Sequence, residues 1–157
     1  MKKFIQNKLK DQKGMTLIEL LAVIVIIAII AAIAIPAIGN IIENSRYSAV
    51  KSDATNVLNA AQLYYTENPQ GPQPTGQNVT APDLTVAMLK TEGFLESEGE
   101  IPTTATITRG TGTDNALQLT TSAIKYSGSK TLTFSNATVK QINDDNRKGS
   151  SNDNKEI

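Results

Sequence analysis

A chain of 157 residues with no cysteine, histidine or tryptophan cannot use disulfide staples, thiolate or imidazole metal ligands, or a Ser/His or Cys/His nucleophilic pair. Its 15 basic and 15 acidic residues cancel in sum but not in place. Residues 1–14 carry five lysines against Asp11, a balance of +4, whereas residues 15–157 hold ten basic and fourteen acidic groups, a balance of −4 that argues against binding nucleic acid by charge alone.

After the basic head, residues 1–14, comes "KGMTLIELLAVIVIIAIIAAIAIPAIGN", Lys13 to Asn40, in which Leu20–Ile38 is apolar and uncharged. At 1.5 Å per helical residue that run reaches about 28 Å, the thickness of a bilayer's hydrocarbon core. Positive charge flanking an apolar span stays on the cytoplasmic side, so the acidic remainder is expected outside. From Asn40 to Glu67 the pattern turns amphipathic. Tyr47, Val50, Ala54, Val57, Leu58, Ala61, Tyr64 and Tyr65 recur at helical spacing, with Arg46, Lys51, Asp53, Asn56, Asn59 and Gln62 between them. No turn signal stronger than Gly39 interrupts, so residues 15–67 read as one helix of about 50 residues and 75 to 80 Å, its transmembrane part 15–38.

"ENPQGPQP" ends that helix, and four prolines and two glycines make 69–82 a loop. "DLTVAMLKTEG" predicts a short helix capped by Asp83, with Leu84, Met88 and Leu89 on one side and Gly93 at its exit. The period then changes to two. Ala105/Ile107, Leu117/Leu119, Ile124/Tyr126, Leu132/Phe134 and Ala137/Val139 alternate with polar residues, which predicts an antiparallel meander of three to five strands with one wet face. A globular region of 68–142 results, followed by a flexible, solvated tail of 143–157 with almost nothing to bury. A one-striped helix and a one-faced sheet each need a cover, so the sheet is expected on the stripe from Val50 to Tyr65, an α+β fold. The apolar first half is left as a bare rod of about 35 Å.

A secretory signal peptide and a plain membrane anchor both share the basic head and apolar run. The first has a shorter core and no acid at its entrance, and the second gives no reason for Glu19 or Gly14. The segment closely resembles the N-terminal leader and helix of type IV prepilins and pseudopilins, through Gly14, Thr16, Glu19, the apolar run and Pro36. Met15 departs from that family's commonest residue, phenylalanine. The resemblance implies that a membrane-embedded prepilin peptidase cuts between Gly14 and Met15 and N-methylates Met15. It also implies an assembly role for Thr16 and Glu19, with the Glu19 carboxylate facing the Met15 amine of a neighbouring subunit.

The implied protein is no enzyme and uses no cofactor or metal. Its implied partners are identical subunits in a helical homopolymer, the peptidase, the pilus assembly machinery and the cytoplasmic membrane, with nucleic acid only for a competence filament. The precursor would sit in that membrane, N-terminus inside, and the assembled filament would be extracellular. Adhesion, twitching motility, secretion and DNA uptake stay open. "LTVAMLKTEGFL" resembles the short helix of secretion and competence pseudopilins, whereas the lack of cysteine is similar to Gram-positive pilins.

Pro36 and Gly39 mark a weak point of the helix, a kink or a site of local melting. The proline removes a backbone donor at about 3 kcal/mol and the glycine adds about 1. Tyr47, Tyr64, Tyr65 and Phe94 read as core or subunit contacts rather than an electron path. Asn78 and Asn136 stand in short glycosylation-like patterns to which no function is assigned. Asp144, Asp145 and Asp153 lack calcium-loop spacing and read as solvated.

Overall fold

The computed structural model describes residues 16–73, 82–110, 115–151 and 153–157. Two compact units divide the chain, Met1–Gly39 and Asn40–Ile157, and one helix, α1 (Leu17–Glu67, 51 residues), runs through both.

In the first unit the helical residues are mostly isoleucine, valine and alanine. β-Branched residues are mediocre helix formers in water. In lipid the balance reverses, because a helix satisfies every backbone donor and acceptor within its own segment. The most apolar 18-residue window of α1 has a mean hydropathy of 3.2 and no buried residue. From Leu17 to Ile38 the large aliphatic side chains are 45 to 87% exposed. By length and composition this helix can cross a membrane.

In the second unit α1 buries the predicted stripe except Tyr65, which is half-buried: Tyr47, Val50, Ala54, Val57, Leu58, Ala61 and Tyr64 are covered, with Ala60 added. Alanine at 54, 60 and 61 leaves room for larger side chains opposite, and Leu84, Ile107, Leu119, Leu132 and Phe134 are fully buried in the same core. Each such side chain contributes about 1.5 to 3 kcal/mol by leaving water. Aromatic pairs pin both ends of the stripe: Tyr64 meets Phe94 edge-on at 5.3 Å, and Tyr47 meets Tyr126 at 5.4 Å.

The short helix is present but shifted. Leu84–Thr85 forms strand β1, and helix α2 is Val86–Thr91, capped by Thr85 and not by Asp83. The Thr85 hydroxyl accepts from the Met88 N–H, while Leu84 is drawn into pairing with Ile107. Gly93 does end the helix, at φ +82°, with Phe94 N–H donating to Leu89 and Gly93 N–H to Lys90. That pair of bonds is a Schellman closure, which glycine enters without strain.

The single antiparallel meander is corrected to two three-stranded sheets. Strands β2 (Thr106–Arg109) and β3 (Leu117–Thr120) continue β1 in antiparallel order, with Ile107 opposite Leu119. Strands β4 (Ile124–Ser127) and β5 (Lys130–Thr133) form a hairpin with an irregularity between Lys125 and Ser127. Strand β6 (Lys155–Glu156) joins β5 in parallel. The expected fifth strand at Ala137/Val139 is not one. Ala137 makes a lone bridge to Leu119, and Val139–Asp144 is helix α3. Thr138 and Gln141 cap α3 reciprocally, a T-x-x-Q box that outweighs two alternating apolar residues.

The flexible tail is corrected as well. Within 143–157, the Asp145 carboxylate accepts from the Tyr47 hydroxyl and, at 3.2 Å, from the Lys51 ammonium, and it also pairs with Arg147. Gly149 packs against the Glu43 carbonyl and Tyr47, and its own carbonyl accepts from the Tyr126 hydroxyl at 3.1 Å. Lys155 is 2% exposed, its ammonium held by the Tyr126 hydroxyl, the Asp153 carbonyl and the Asp153 carboxylate. Composition says this segment has little apolar surface to bury. It is bound through polar and cation–aromatic contacts instead.

Candidate functional site

Helix α1 begins with a reciprocal cap. The Thr16 N–H and hydroxyl donate to Glu19 Oε2 at 2.7 and 2.8 Å, the Glu19 N–H reaches the Thr16 hydroxyl at 3.4 Å, and Leu20 N–H closes the first turn on the Thr16 carbonyl. Thr16 and Glu19 are thus the two ends of a capping box, which satisfies donors that lipid could not. The carboxylate also lies where the helix dipole favours negative charge. Both bonds it accepts fall on Oε2, and among the described residues Oε1 has no hydrogen-bond partner.

The T-x-x-E spacing of Thr16 and Glu19 carries this signal in the sequence, where Glu19 reads only as a charge awaiting a partner. From Leu20 to Ile42 no charge follows. Gly14 and Met15 lie outside the described residues.

Pro36 and Gly39 stand inside α1, which is helical through both positions. Melting is therefore not the state of this structure. Proline still withholds the donor that the Ala32 carbonyl would use. Gly39 has open space on every side, since a Cβ there would meet nothing within 4 Å, so close packing does not require a glycine. Pro36 lies 17 residues beyond Glu19, about 25 Å along the helix, so the two pairs are separate features.

Residues 9–35 match the prokaryotic N-terminal methylation motif. The chain carries a prepilin-type leader, the kind borne by type IV pilins and pseudopilins. No curated protein and no solved structure matches the chain. The matched residues take in the capping box and nearly all of the uncharged run, and they stop one residue before Pro36. Leader and apolar helix together mark a membrane-anchored precursor, and the motif belongs to structural rather than enzymatic proteins.

The other residues singled out in the sequence have structural positions. Tyr47, Tyr64 and Tyr126 are buried, and Tyr65 lies under the Arg109 guanidinium at 4.2 Å. Asn136 is exposed in the left-handed region and its side-chain oxygen accepts from Thr120. Asp145 is no solvated acid, since Lys51 and Arg147 supply the positive charge around it. Burial pushes its carboxyl up, but hydrogen bonds from Tyr47, Arg147 and Lys51 outweigh that and hold it below its ordinary 3.8. The second unit thus uses the Asp145 cluster to close its own fold.

Proposed function

We propose that this prepilin is the structural subunit of an extracellular filament. It is inserted with residues 1–14 on the cytoplasmic side, cut between Gly14 and Met15, methylated at the new Met15 amine, and polymerised through the apolar part of α1. One observation carries the reading: a methylation motif opens onto the part of α1, residues 17–38, whose large aliphatic side chains are all exposed in the single chain. Such a surface is stable in lipid before assembly and against other copies of itself afterwards.

Association from lipid gains little from the hydrophobic effect, because lipid tails are as apolar as the side chains that leave them. Packing and polar pairing must select the partner and its register. Glu19 is suited to that. An unpaired carboxylate at membrane depth costs several kcal/mol, and a neighbour's Met15 ammonium recovers much of it. The capping box presents the carboxylate in one orientation and uses Oε2, so Oε1 is the atom offered to that ammonium. The Pro36–Gly39 turn, weakened but helical in the single chain, is the point at which α1 would yield under tension.

The test is the chemical identity of the mature subunit together with its physical form. N-terminal sequencing and mass spectrometry of protein sheared from cells should give a chain starting at methylated Met15, recovered in sedimentable filaments. A chain starting at Met1 and retained in the membrane would make it an anchored protein of another class.

A further inference from the structure

The second unit starts at Asn40, and α1 enters it with two large apolar side chains uncovered. Ile41 is 65% exposed and Ile42 47%, and among the described residues of that unit Leu63 is the only other large hydrophobic left so open. Neither isoleucine belongs to the core, and only Gly39 and Asn40 separate them from the apolar run that ends at Ile38.

Two loops close on the next residues of the helix. Ser127–Lys130, at the β4–β5 connection, reads S-G-S-K, and Lys148–Ser151 reads K-G-S-S. The Glu43 carboxylate accepts from the Lys130 ammonium at 2.7 Å and from the Ser127 hydroxyl at 3.2 Å. The Asn44 side-chain oxygen accepts from the Ser150 N–H at 2.9 Å, and the Lys130 ammonium also donates to the Ser150 carbonyl at 3.0 Å. The first charge after the apolar run is therefore neutralised, and both loops are tied to Glu43 and Asn44. Neither loop contains an acid. Ser129 and Lys148 are exposed, and Lys148 has no ion-pair partner among the described residues.

Counting along α1 gives the depth of these residues. Glu19 is the last charge before the run, and about twenty helical residues from Leu20, which end at Gly39, fill a hydrocarbon core of about 30 Å. The headgroup layer beyond is about 5 to 7 Å deep, or about four to five further residues, which are 40–44. Tilting the helix only draws more of it in.

We infer that in the membrane-anchored precursor the loops Ser127–Lys130 and Lys148–Ser151 sit in the phospholipid headgroup layer, with Lys148 on a headgroup phosphate and Ile41 and Ile42 at the acyl boundary. Lipid is the occupant because Ile41 and Ile42 continue, on the same helix, the surface that lipid already covers. The side chains are also the kinds this layer takes: aliphatic carbon at its inner edge, lysine and hydroxyl at the phosphate. The second unit is thereby held against the bilayer for as long as α1 stays in it. The inference rests on the membrane anchor and not on the filament reading.

Because the chain has no cysteine, a single spin label can be placed through Ser129→Cys, Ser151→Cys or, as a control, Gln62→Cys, which is exposed and 18 residues beyond Asn44. Each full-length chain is placed singly in nanodiscs of phosphatidylethanolamine and phosphatidylglycerol. A water-soluble relaxation agent should reach the labels at 129 and 151 several-fold less than the label at 62, and an agent chelated to lipid headgroups should show the opposite order. Lys148→Glu should erase most of that difference, and Lys148→Arg should keep it. Equal access at 129 and 62, or a difference unmoved by Lys148→Glu, would overturn the inference. Shielding that needs several chains in one disc would also overturn it, by assigning the surface to a second copy. The discs hold no assembly machinery, so these outcomes leave the filament reading untouched.

Discussion

Tyr47 and Asp145 are 98 residues apart in sequence, and the phenol of one donates to the carboxylate of the other. That bond ties residues 143–157 to α1. Lys51, one turn along the helix, reaches the same carboxylate and also donates to the Asp145 backbone carbonyl at 2.6 Å. One acid therefore gathers three donors, counting Arg147, on a side chain that is 7% exposed. The segment is fixed at this point and again where Lys155 enters the core.

Asp145→Asn keeps the shape and removes the charge. The variant leaves the Lys51 ammonium, 17% exposed, without a counter-charge. Hydrogen bonds to charged groups are worth about 1.5 to 3 kcal/mol, so a loss of about 2 to 3 kcal/mol is expected. Chemical denaturation of the intact chain in detergent measures it. A midpoint unchanged from the parent would mean that the cluster is a surface ornament.

The same carboxylate sets an acid limit. A carboxyl whose folded value is depressed contributes its full stability above the unfolded value and loses it as pH falls through the folded one. Asp145 is held below 3.8, and the Lys130 hydrogen bond holds Glu43 below its ordinary 4.5. Stability should be level above about pH 5 and fall steeply below about pH 4. Thermal melts across that range should show the fall in the parent and a shallower one in Asp145→Asn. The alkaline side runs the other way. Burial first, and then the bond to Asp145, raises the Tyr47 phenol above its ordinary 10.0. Its stabilisation is complete below pH 10 and is lost as pH rises through the folded value, so tyrosinate absorbance from this residue should appear only with unfolding.

Gly149→Ala probes the strap by volume rather than charge. A Cβ at this position would stand 2.6 Å from the Tyr47 Cβ and still closer to the Glu43 carbonyl. Neither is the loose end of a side chain, so the strap must move and take the Tyr126 bond with it. Overpacking of this sort costs about 1 to 3 kcal/mol. Faster proteolysis within residues 143–157, against an unchanged rate elsewhere, is the expected readout.

How much of this was legible in the chain follows from what each element uses to hold itself. The stripe of α1 was readable because apolar side chains at spacing three and four have one physical explanation, and every buried position from Tyr47 to Tyr64 except Ala60 lies on it. Strands β2 to β5 were readable for the same reason at period two. Residues 143–157 were not, because their anchors are polar atoms whose partners lie up to about a hundred residues away, and no local pattern encodes such a partner. Thr138-x-x-Gln141 and Thr16-x-x-Glu19 are different. Both are written in the sequence as capping boxes, and both yielded to a stronger-looking neighbour signal, alternation in one case and the apolar run in the other.

A fragment beginning at Asn40 should fold alone as a soluble monomer. The second unit starts there, and it holds its own core and every ion pair described. A cut at Asn44 is the worse choice, since it discards Glu43, which pairs with Lys130 at 2.7 Å and seats Gly149. Cooperative melting of the longer fragment at a higher temperature than the shorter one is the expected result. Aggregation of both would show that the stripe of α1 is not adequately covered.

The decisive prediction for assembly separates the two duties of Glu19. Glutamine at the same position still completes a capping box with Thr16, because its carbonyl oxygen accepts the same two bonds, yet it carries no charge. Glu19→Ala removes both the cap and the charge, and Thr16→Ala removes most of the cap while leaving the charge. If the carboxylate serves chiefly to start the helix, Glu19→Gln should assemble normally and the two alanine variants should fail together. If it pairs with a neighbour's amine, Glu19→Gln should insert and be processed, since a neutral side chain enters lipid more readily, and then give little or no filament. Thr16→Ala should retain part of the yield. The missing counter-charge costs each subunit contact about 3 to 5 kcal/mol if the pair is buried, and a homopolymer repeats that defect at every joint. We expect the second pattern, scored as sheared filament relative to mature subunit. Full filament yield from cells carrying only Glu19→Gln would reduce the residue to a helix cap.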